Sequence, residues 1–360
     1  MIFAHGVGSR GDLPLPLWMF TWASALALVI SFVALGVLWP KPRLARASKG
    51  RLLIGRPLPA TVRGLQLFGR TAALVLYLTA LWAGLFGVND TASNLLPVTL
   101  YVVVWVGAQV VGGLIGDLWR AVNPLDTLSW LIEKSVGRTA VPAPPGLGQW
   151  PAAAGLFVFL FYELAHPNGS APRTLGWMLL VHTVVSLALA ARFGRPWLAE
   201  HEPFSALFSM IGAMAPLTAE PSGIRLRPLM SGLSTLPILP GSLATLLVVL
   251  GGTTFDGFSE SEAGRSILGR PVGWGGALTQ TLGLVASIVL VAALFGAGIW
   301  WTQRVTSHGA RELADSFTSS LVPIVFGYAI AHYAQLLVDE TQSFVFRLSD
   351  PGGLGWDLFG

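Results

Sequence analysis

Long apolar runs, broken by short stretches rich in proline, glycine or arginine, follow one another along almost the whole chain. A helix that crosses a bilayer needs about 20 mainly apolar residues. Windows of that kind occur at 17–39, 71–88, 95–117, 150–166, 174–191, 236–256, 274–301 and 317–338. The pattern predicts an all-α, polytopic membrane helix bundle of about eight transmembrane helices. It divides the chain into an N-terminal tail at 1–16, one transmembrane domain at 17–338 and a C-terminal tail at 339–360.

Composition supports this class. Hydrophobic residues make up 53% of 360, charged residues 11%, and the mean hydropathy is +0.65, more than the surface of a soluble domain can carry. Lysine and arginine are retained in cytoplasmic loops, and an N-terminus-out arrangement puts 17 of the 22 inside, from Lys41 to Arg311. Arg10, Arg173, Arg265, Arg270 and Arg347 stay outside, together with acidic residues such as Asp90, Asp256, Asp339 and Asp357. Both termini are then extracytoplasmic, and the location read from this is a bacterial inner membrane. The net charge of +4 reflects topology and contact with lipid head groups, so no nucleic-acid partner is implied. The start, MIFAHGVGSRGDLPLP, has neither a basic n-region nor a small-residue cleavage site, which reads as a retained first span. Without cysteine, disulfides, thiolate metal sites and a cysteine nucleophile are excluded.

Two proline-bearing linkers, 40–70 and 141–151, punctuate the chain, and between them a repeat is suggested. WRAVNPLDTLSWLI, from Trp119, recurs loosely as WLAEHEPFSALFSMI, from Trp197, with Pro124, Leu125 and Leu128 matching Pro203, Phe204 and Leu207. Both copies read as amphipathic helices lying in the membrane interface. Gly112 and Gly116 form a small-xxx-small pattern suited to close helix packing.

Ionisable groups within membrane helices mark candidate sites. At the outer side these are Glu163 and His166 on the fourth span, Asp256 on the sixth, His332 on the eighth and His5 on the tail, which an extended chain carries up to ~40 Å from Trp18. Imidazole with carboxylate is the ligand set of a divalent metal such as zinc, iron, manganese or copper, and E-x-x-H on one helix serves carboxylate-bridged metal sites in bundles. The expected metal ligands are therefore His5, Glu163, His166, Asp256 and His332. His182, mid-span, needs hydrogen-bond partners whether or not it binds anything. On the inner side Asp117 and Arg120, spaced i and i+3, read as a pair fixing a helix end. His201 and Glu202 fall at the matching place in the second copy. The nucleotide-binding and serine-hydrolase motifs do not occur, which argues against nucleotide-driven transport by this chain alone.

AHGVGSRGDLPLP, GDLWRAVNP, TTFDGFS, AHYAQLLV and DPGGLGWDLFG together resemble a bacterial membrane family often labelled fenitrothion hydrolase. The resemblance implies hydrolysis of an organophosphate or similar lipophilic ester entering from the outer leaflet. It also implies a chain that in relatives continues beyond DLFG into another span. A metal held by the outer histidines and carboxylates would then polarise the phosphoryl oxygen and activate a water, with Glu163 or Asp256 as base or bridging ligand. Two other readings stand beside this one. The first is a permease for a metal ion or small solute, favoured by polar residues continuing inward to Asp117 and Asp126. The second is a non-catalytic membrane subunit docking a protein partner.

Overall fold

A computed structural model describes residues 17–38, 44–136, 140–269 and 273–359. The described residues are 74% helical, and among them seven helices are long and apolar enough to cross a membrane. It is a multi-pass membrane protein. The long helices are α1 (Leu17–Leu38), α3 (Ala60–Phe86), a composite of α4 (Leu95–Val98), a π-helical stretch (Thr99–Gly107) and α5 (Ala108–Leu114), then α9 (Pro172–Phe193), α12 (Ser242–Glu260), α14 (Gly273–Val305) and α15 (Ala310–Ser349). Shorter helices are α2 (Leu44–Ala47), α6 (Leu118–Val122), α7 (Pro124–Val136), α8 (Trp150–Leu164), α10 (Pro196–His201), α11 (Pro203–Gly212) and α13 (Glu262–Leu268).

The predicted window 150–166 stops short as a helix because Pro167 follows, leaving 15 residues in α8. The window at 317–338 is longer than expected. Helix α15 runs on through Asp339 and Glu340 to Ser349, so the predicted C-terminal tail begins inside it. Arg347 holds that extension by pairing with Glu340 at 3.1 Å and donating to the Ala92 carbonyl at 2.8 Å. Residues 350–358 then fold back on the bundle, with Val88 N–H donating to Gly352 O and Trp356 stacked on Trp82 at 5.4 Å.

A small feature absent from the hydrophobic pattern closes the opposite end. Strands β1 (Arg51–Gly55), β2 (Leu217–Glu220) and β3 (Gly223–Leu226) form an antiparallel sheet in the order β1-β3-β2, with Arg51 opposite Leu226 and Leu217 opposite Leu226. Strands of four or five residues in loops carry too few alternations to be read from sequence. This sheet end holds much of the chain's arginine, including Arg51, Arg56, Arg225 and Arg227.

The core lies where α3, α4–α5, α8, α11, α12 and α15 meet. Close approach depends on glycine, and of the pair expected only Gly116 serves it, a Cβ there lying 2.9 Å from the Leu217 carbonyl oxygen of β2. A Cβ on Gly112 would meet nothing within 4 Å, whereas one on Gly113 would lie 2.4 Å from the Phe326 ring. Helices α3 and α9 cross backbone to backbone at Gly84 and Gly176, where a Cβ on Gly176 would lie 2.8 Å from the Gly84 carbonyl carbon. Gly176→Val should therefore force the crossing apart and cost about 1–3 kcal/mol, read as a lower unfolding midpoint in detergent. A valine variant as stable as wild type would contradict this packing.

The two copies of the suggested repeat share one local geometry. Each is a short helix, then an extended capping residue, then a helix opened by proline. Asn123 Oδ1 accepts the Leu125 and Asp126 N–H groups, and the Glu202 carboxylate accepts those of Phe204 and Ser205. The copies also touch, Asn123 Nδ2 donating to Ser205 Oγ at 2.9 Å. Their environments diverge. Helix α7 exposes Trp130, Leu131 and Ile132, as an interfacial helix does, but α11 is buried along nearly its whole length. The interfacial expectation fails for α11 because PFSALFSMIG has no charged side to turn to water.

Asp117 caps α6 by accepting the Arg120 N–H at 3.1 Å, so the expected helix-end role is met through the backbone. Burial raises its pKa, which means the folded protein holds that proton more tightly than the unfolded chain. Ionisation of Asp117 thus lowers stability as pH rises from the unfolded-chain value through the folded one. Asn caps equally well without the charge, so Asp117→Asn should raise the unfolding midpoint at neutral pH. The gain should disappear at pH values acidic enough to protonate Asp117 in both states.

Candidate functional site

Two buried carboxylates, each beside an imidazole from another helix, form the polar centre of the bundle. Asp256, on α12, is fully buried. Its Oδ2 accepts the Tyr333 hydroxyl at 2.8 Å and lies 3.0 Å from His332 Nε2, both on α15. The Tyr328 ring stacks on His332 at 5.3 Å, one helical turn earlier, and its hydroxyl donates to the Thr253 carbonyl. Glu163, near the end of α8, is close enough to the Tyr101 and Tyr333 hydroxyls to act on them electrostatically. Of the expected site residues, Asp256 and His332 are thus joined, with Glu163 nearby.

His166 is drawn elsewhere. Helix α8 ends at Leu164, so Glu163 and His166 do not share a helical turn. The His166 ring stacks on Tyr162 at 5.0 Å and meets Trp274 edge-on at 5.2 Å, while its Nδ1 accepts the Asn168 N–H at 3.1 Å. His5 lies outside the described residues. Among those described, no three histidine or carboxylate side chains gather to hold a metal ion. Asp256 and His332 supply two donors, and their 3.0 Å separation is that of a hydrogen bond. A zinc-type site asks for four ligands at about 2.0–2.2 Å. The described residues do not by themselves make the expected metal set.

The second pair was not expected as a pair. His182 Nε2, on α9, lies 3.2 Å from Glu202 Oε1 at the start of α11. Glu202 is 2% exposed, and besides capping α11 it accepts the Ser205 hydroxyl at 2.6 Å. Four donors on one buried carboxylate favour its charged form. Neighbouring His201 instead turns Nδ1 to the Gly148 carbonyl and packs on Trp197 at 4.3 Å. The signal that would have paired Glu202 with a membrane histidine is the absence of any other charge between Pro203 and Leu217, which marks α11 as buried.

The His182–Glu202 pair forms part of the wall of a small cleft of about 40 Å³. The cleft runs between α3, the π-helical stretch and α9, and its other walls include Tyr77, Leu96, Leu100, Val104, Trp119 and Phe204. Between this cleft and the Asp256 pair stands a septum of rings. Trp105 packs on Phe159 at 4.9 Å, Phe159 on Phe204 at 5.2 Å, and Phe204 meets His182 at 6.3 Å. The nine-residue π-helical stretch serves both sides, giving Leu100 and Val104 to the cleft and Tyr101 and Trp105 to the septum. Runs of π-helix are rare and gather at functional sites.

Arginines anchor the cleft from the sheet end. Asp126, on α7, takes Arg70 of α3 at 3.0 Å and Arg195, just after α9, at 2.7 Å. Comparison with family models, curated proteins and solved structures gave no match.

Proposed function

We propose that this chain is a proton-coupled carrier of a small solute, with Glu202–His182 and Asp256–His332 exchanging protons on the two sides of the aromatic septum. The observation that carries this reading is the pairing itself. Ionisable groups inside a membrane bundle are costly and mark ion or proton pathways, and here two fully buried carboxylates each face an imidazole from a separate helix. The septum supplies the apolar barrier that keeps the two sides apart, and the π-helical stretch touching both supplies an element that can change register. The arginine-rich sheet end would face the cytoplasm of a bacterial inner membrane, with both termini extracytoplasmic.

Reconstituted in sealed vesicles and given an external acid jump, the protein should admit protons faster than protein-free vesicles, and His332→Phe should remove most of the difference. Vesicles no more permeable with the protein than without it would overturn the reading.

One observation favours a second reading, the ester hydrolysis implied by the resemblance to the fenitrothion hydrolase family. In both pairs a buried carboxylate stands behind an imidazole that is partly accessible, the arrangement of a general base. Turnover of a lipophilic organophosphate ester by the protein in detergent, without a sealed membrane and lost in His332→Phe or His182→Phe, would decide for it.

A further inference from the structure

We propose that the sheet end carries a binding surface for anionic phospholipid head groups, formed by Arg46, Lys49, Arg51, Arg56 and Arg63, and that these head groups hold β1 on the sheet. The inference goes beyond the carrier reading and does not depend on it.

Charge comes first. No aspartate or glutamate occurs between Asp12 and Asp90, a stretch that carries eight lysines and arginines. Other arginines of this end are tied within the protein. Arg70 pairs with Asp126 at 3.0 Å, Arg225 with Glu220 at 3.1 Å, and Arg227 donates to the Gly212, Ala213 and Ala215 carbonyls. The five cations of the surface are all exposed, and among the described residues no carboxylate lies within ion-pair distance of any of them. Like charges gathered between residues 46 and 63 repel one another, and an anion from outside the chain offsets that repulsion.

Local structure presents them outward. Helix α2 turns Leu44, Ala47 and Ser48 inward, toward the short helical turn Ser231–Thr235, and leaves Arg46 and Lys49 exposed. The chain then turns at Gly50, whose φ of +57° suits glycine, and enters β1 at Arg51. Arg56 follows the strand directly, its N–H donating to the Ser222 carbonyl at 3.2 Å. Arg51 and Arg56 thus flank β1, roughly 16 Å apart at the usual strand rise. This is an edge strand, paired only with β3 and with its register broken between Leu52 and Ile54. So short a pairing opens locally at little cost, which makes β1 sensitive to what its flanking arginines bind.

The partner follows from what lies between the cations. Leu52 and Leu53 are 44% and 49% exposed, and the exposed apolar face of α3 begins with Leu65, Leu67 and Phe68, just past Arg63. Cations interleaved with apolar side chains, at the point where a span leaves the bilayer, meet head groups with the one and acyl chains with the other. A soluble polyanion offers no apolar layer to Leu52 and Leu53. Anionic lipid offers both.

The test is hydrogen exchange of the full chain in bilayer discs of phosphatidylglycerol and of phosphatidylcholine. Attraction of a basic residue to an anionic surface is worth a factor of about five. With two arginines flanking β1, its amides should exchange at least about tenfold more slowly in the anionic discs, while the loop at 88–94, at the other end of α3, exchanges alike in both. Arg51→Gln combined with Arg56→Gln should remove most of the difference, and it leaves the remaining cations to orient the spans. Equal exchange of β1 in the two discs would overturn the inference, as would equal slowing of the loop at 88–94 or a difference kept in full by the double variant. Inorganic phosphate or poly-glutamate added to the phosphatidylcholine discs should leave β1 unchanged. Slowing by phosphate would make this a free-anion site, and slowing by poly-glutamate a dock for an acidic protein, either of which overturns the lipid assignment. The comparison of discs on wild type needs no variant, so a misfolded substitution cannot decide it.

Discussion

Replacing Asp256 with alanine should lower the stability of the detergent-purified protein by about 2–5 kcal/mol, the cost of leaving two hydrogen-bonding groups without their acceptor at about 1–3 kcal/mol each. The Tyr333 hydroxyl and His332 Nε2 both lose their acceptor at a point where no water replaces it, since Asp256 is 0% exposed. Asp256→Asn keeps an oxygen for Tyr333 and should cost far less, about 1 kcal/mol. Proton flux separates the two effects, because the amide keeps the shape and cannot take up a proton. The asparagine variant should be nearly as stable as wild type and as inactive as the alanine variant. Denaturation in detergent beside vesicle flux measures both. An alanine variant as stable as wild type would show that Asp256 is not held as the structure places it.

Glu202→Ala is expected to be almost as damaging, at about 3–4 kcal/mol, for a different reason. The substitution removes the N-cap of α11, worth about 1 kcal/mol, strands the buried Ser205 hydroxyl and takes the acceptor from the partly accessible His182. Because α11 is buried among α5, α6, α8 and α10, a loosened start cannot be solvated and should be felt across the core. Glu202→Gln restores an acceptor for the cap and should recover most of the stability. Unfolding midpoints of the two variants, side by side, check this. An alanine variant that melts with wild type would remove the buried cap from the account.

The spans were legible because apolar length alone decides them, and the windows at 95–117, 174–191 and 274–301 coincide with long helices. What misled was local. Asp339 and Glu340 look like the edge of a membrane, yet helix continues past them because Arg347 both pairs with Glu340 and reaches the Ala92 carbonyl. The strands at 51–55 and 217–226 left no mark in the pattern, since each has only four or five residues and β1 finds its partner β3 more than 160 residues away.

At the site, Asp256 and His332 were legible singly as ionisable groups in apolar helices, and the structure joins them. Glu163 and His166 were expected together on helical spacing, but Pro167 ends the helix and turns the imidazole to Tyr162 and Trp274. The His182–Glu202 pair was hidden by the opposite error. Glu202 follows Glu200 and His201 in a segment that reads as an interfacial amphipathic helix, and only the apolar run after Pro203 shows that the chain turns inward there. Neither the septum nor the cleft has a sequence signature, because both are made by side chains converging from different helices.

On the proposed reading, Asp256 and His332 act as one proton-exchanging unit inside the membrane. The most direct measurement is a double-substitution cycle with Asp256→Asn and His332→Phe, read as proton flux in sealed vesicles. If the two groups act together, each single variant loses nearly all of the flux and the double variant is no slower than either. If each single variant keeps a substantial flux and the losses multiply in the double, Asp256 and His332 are two independent groups and not one proton-exchanging unit.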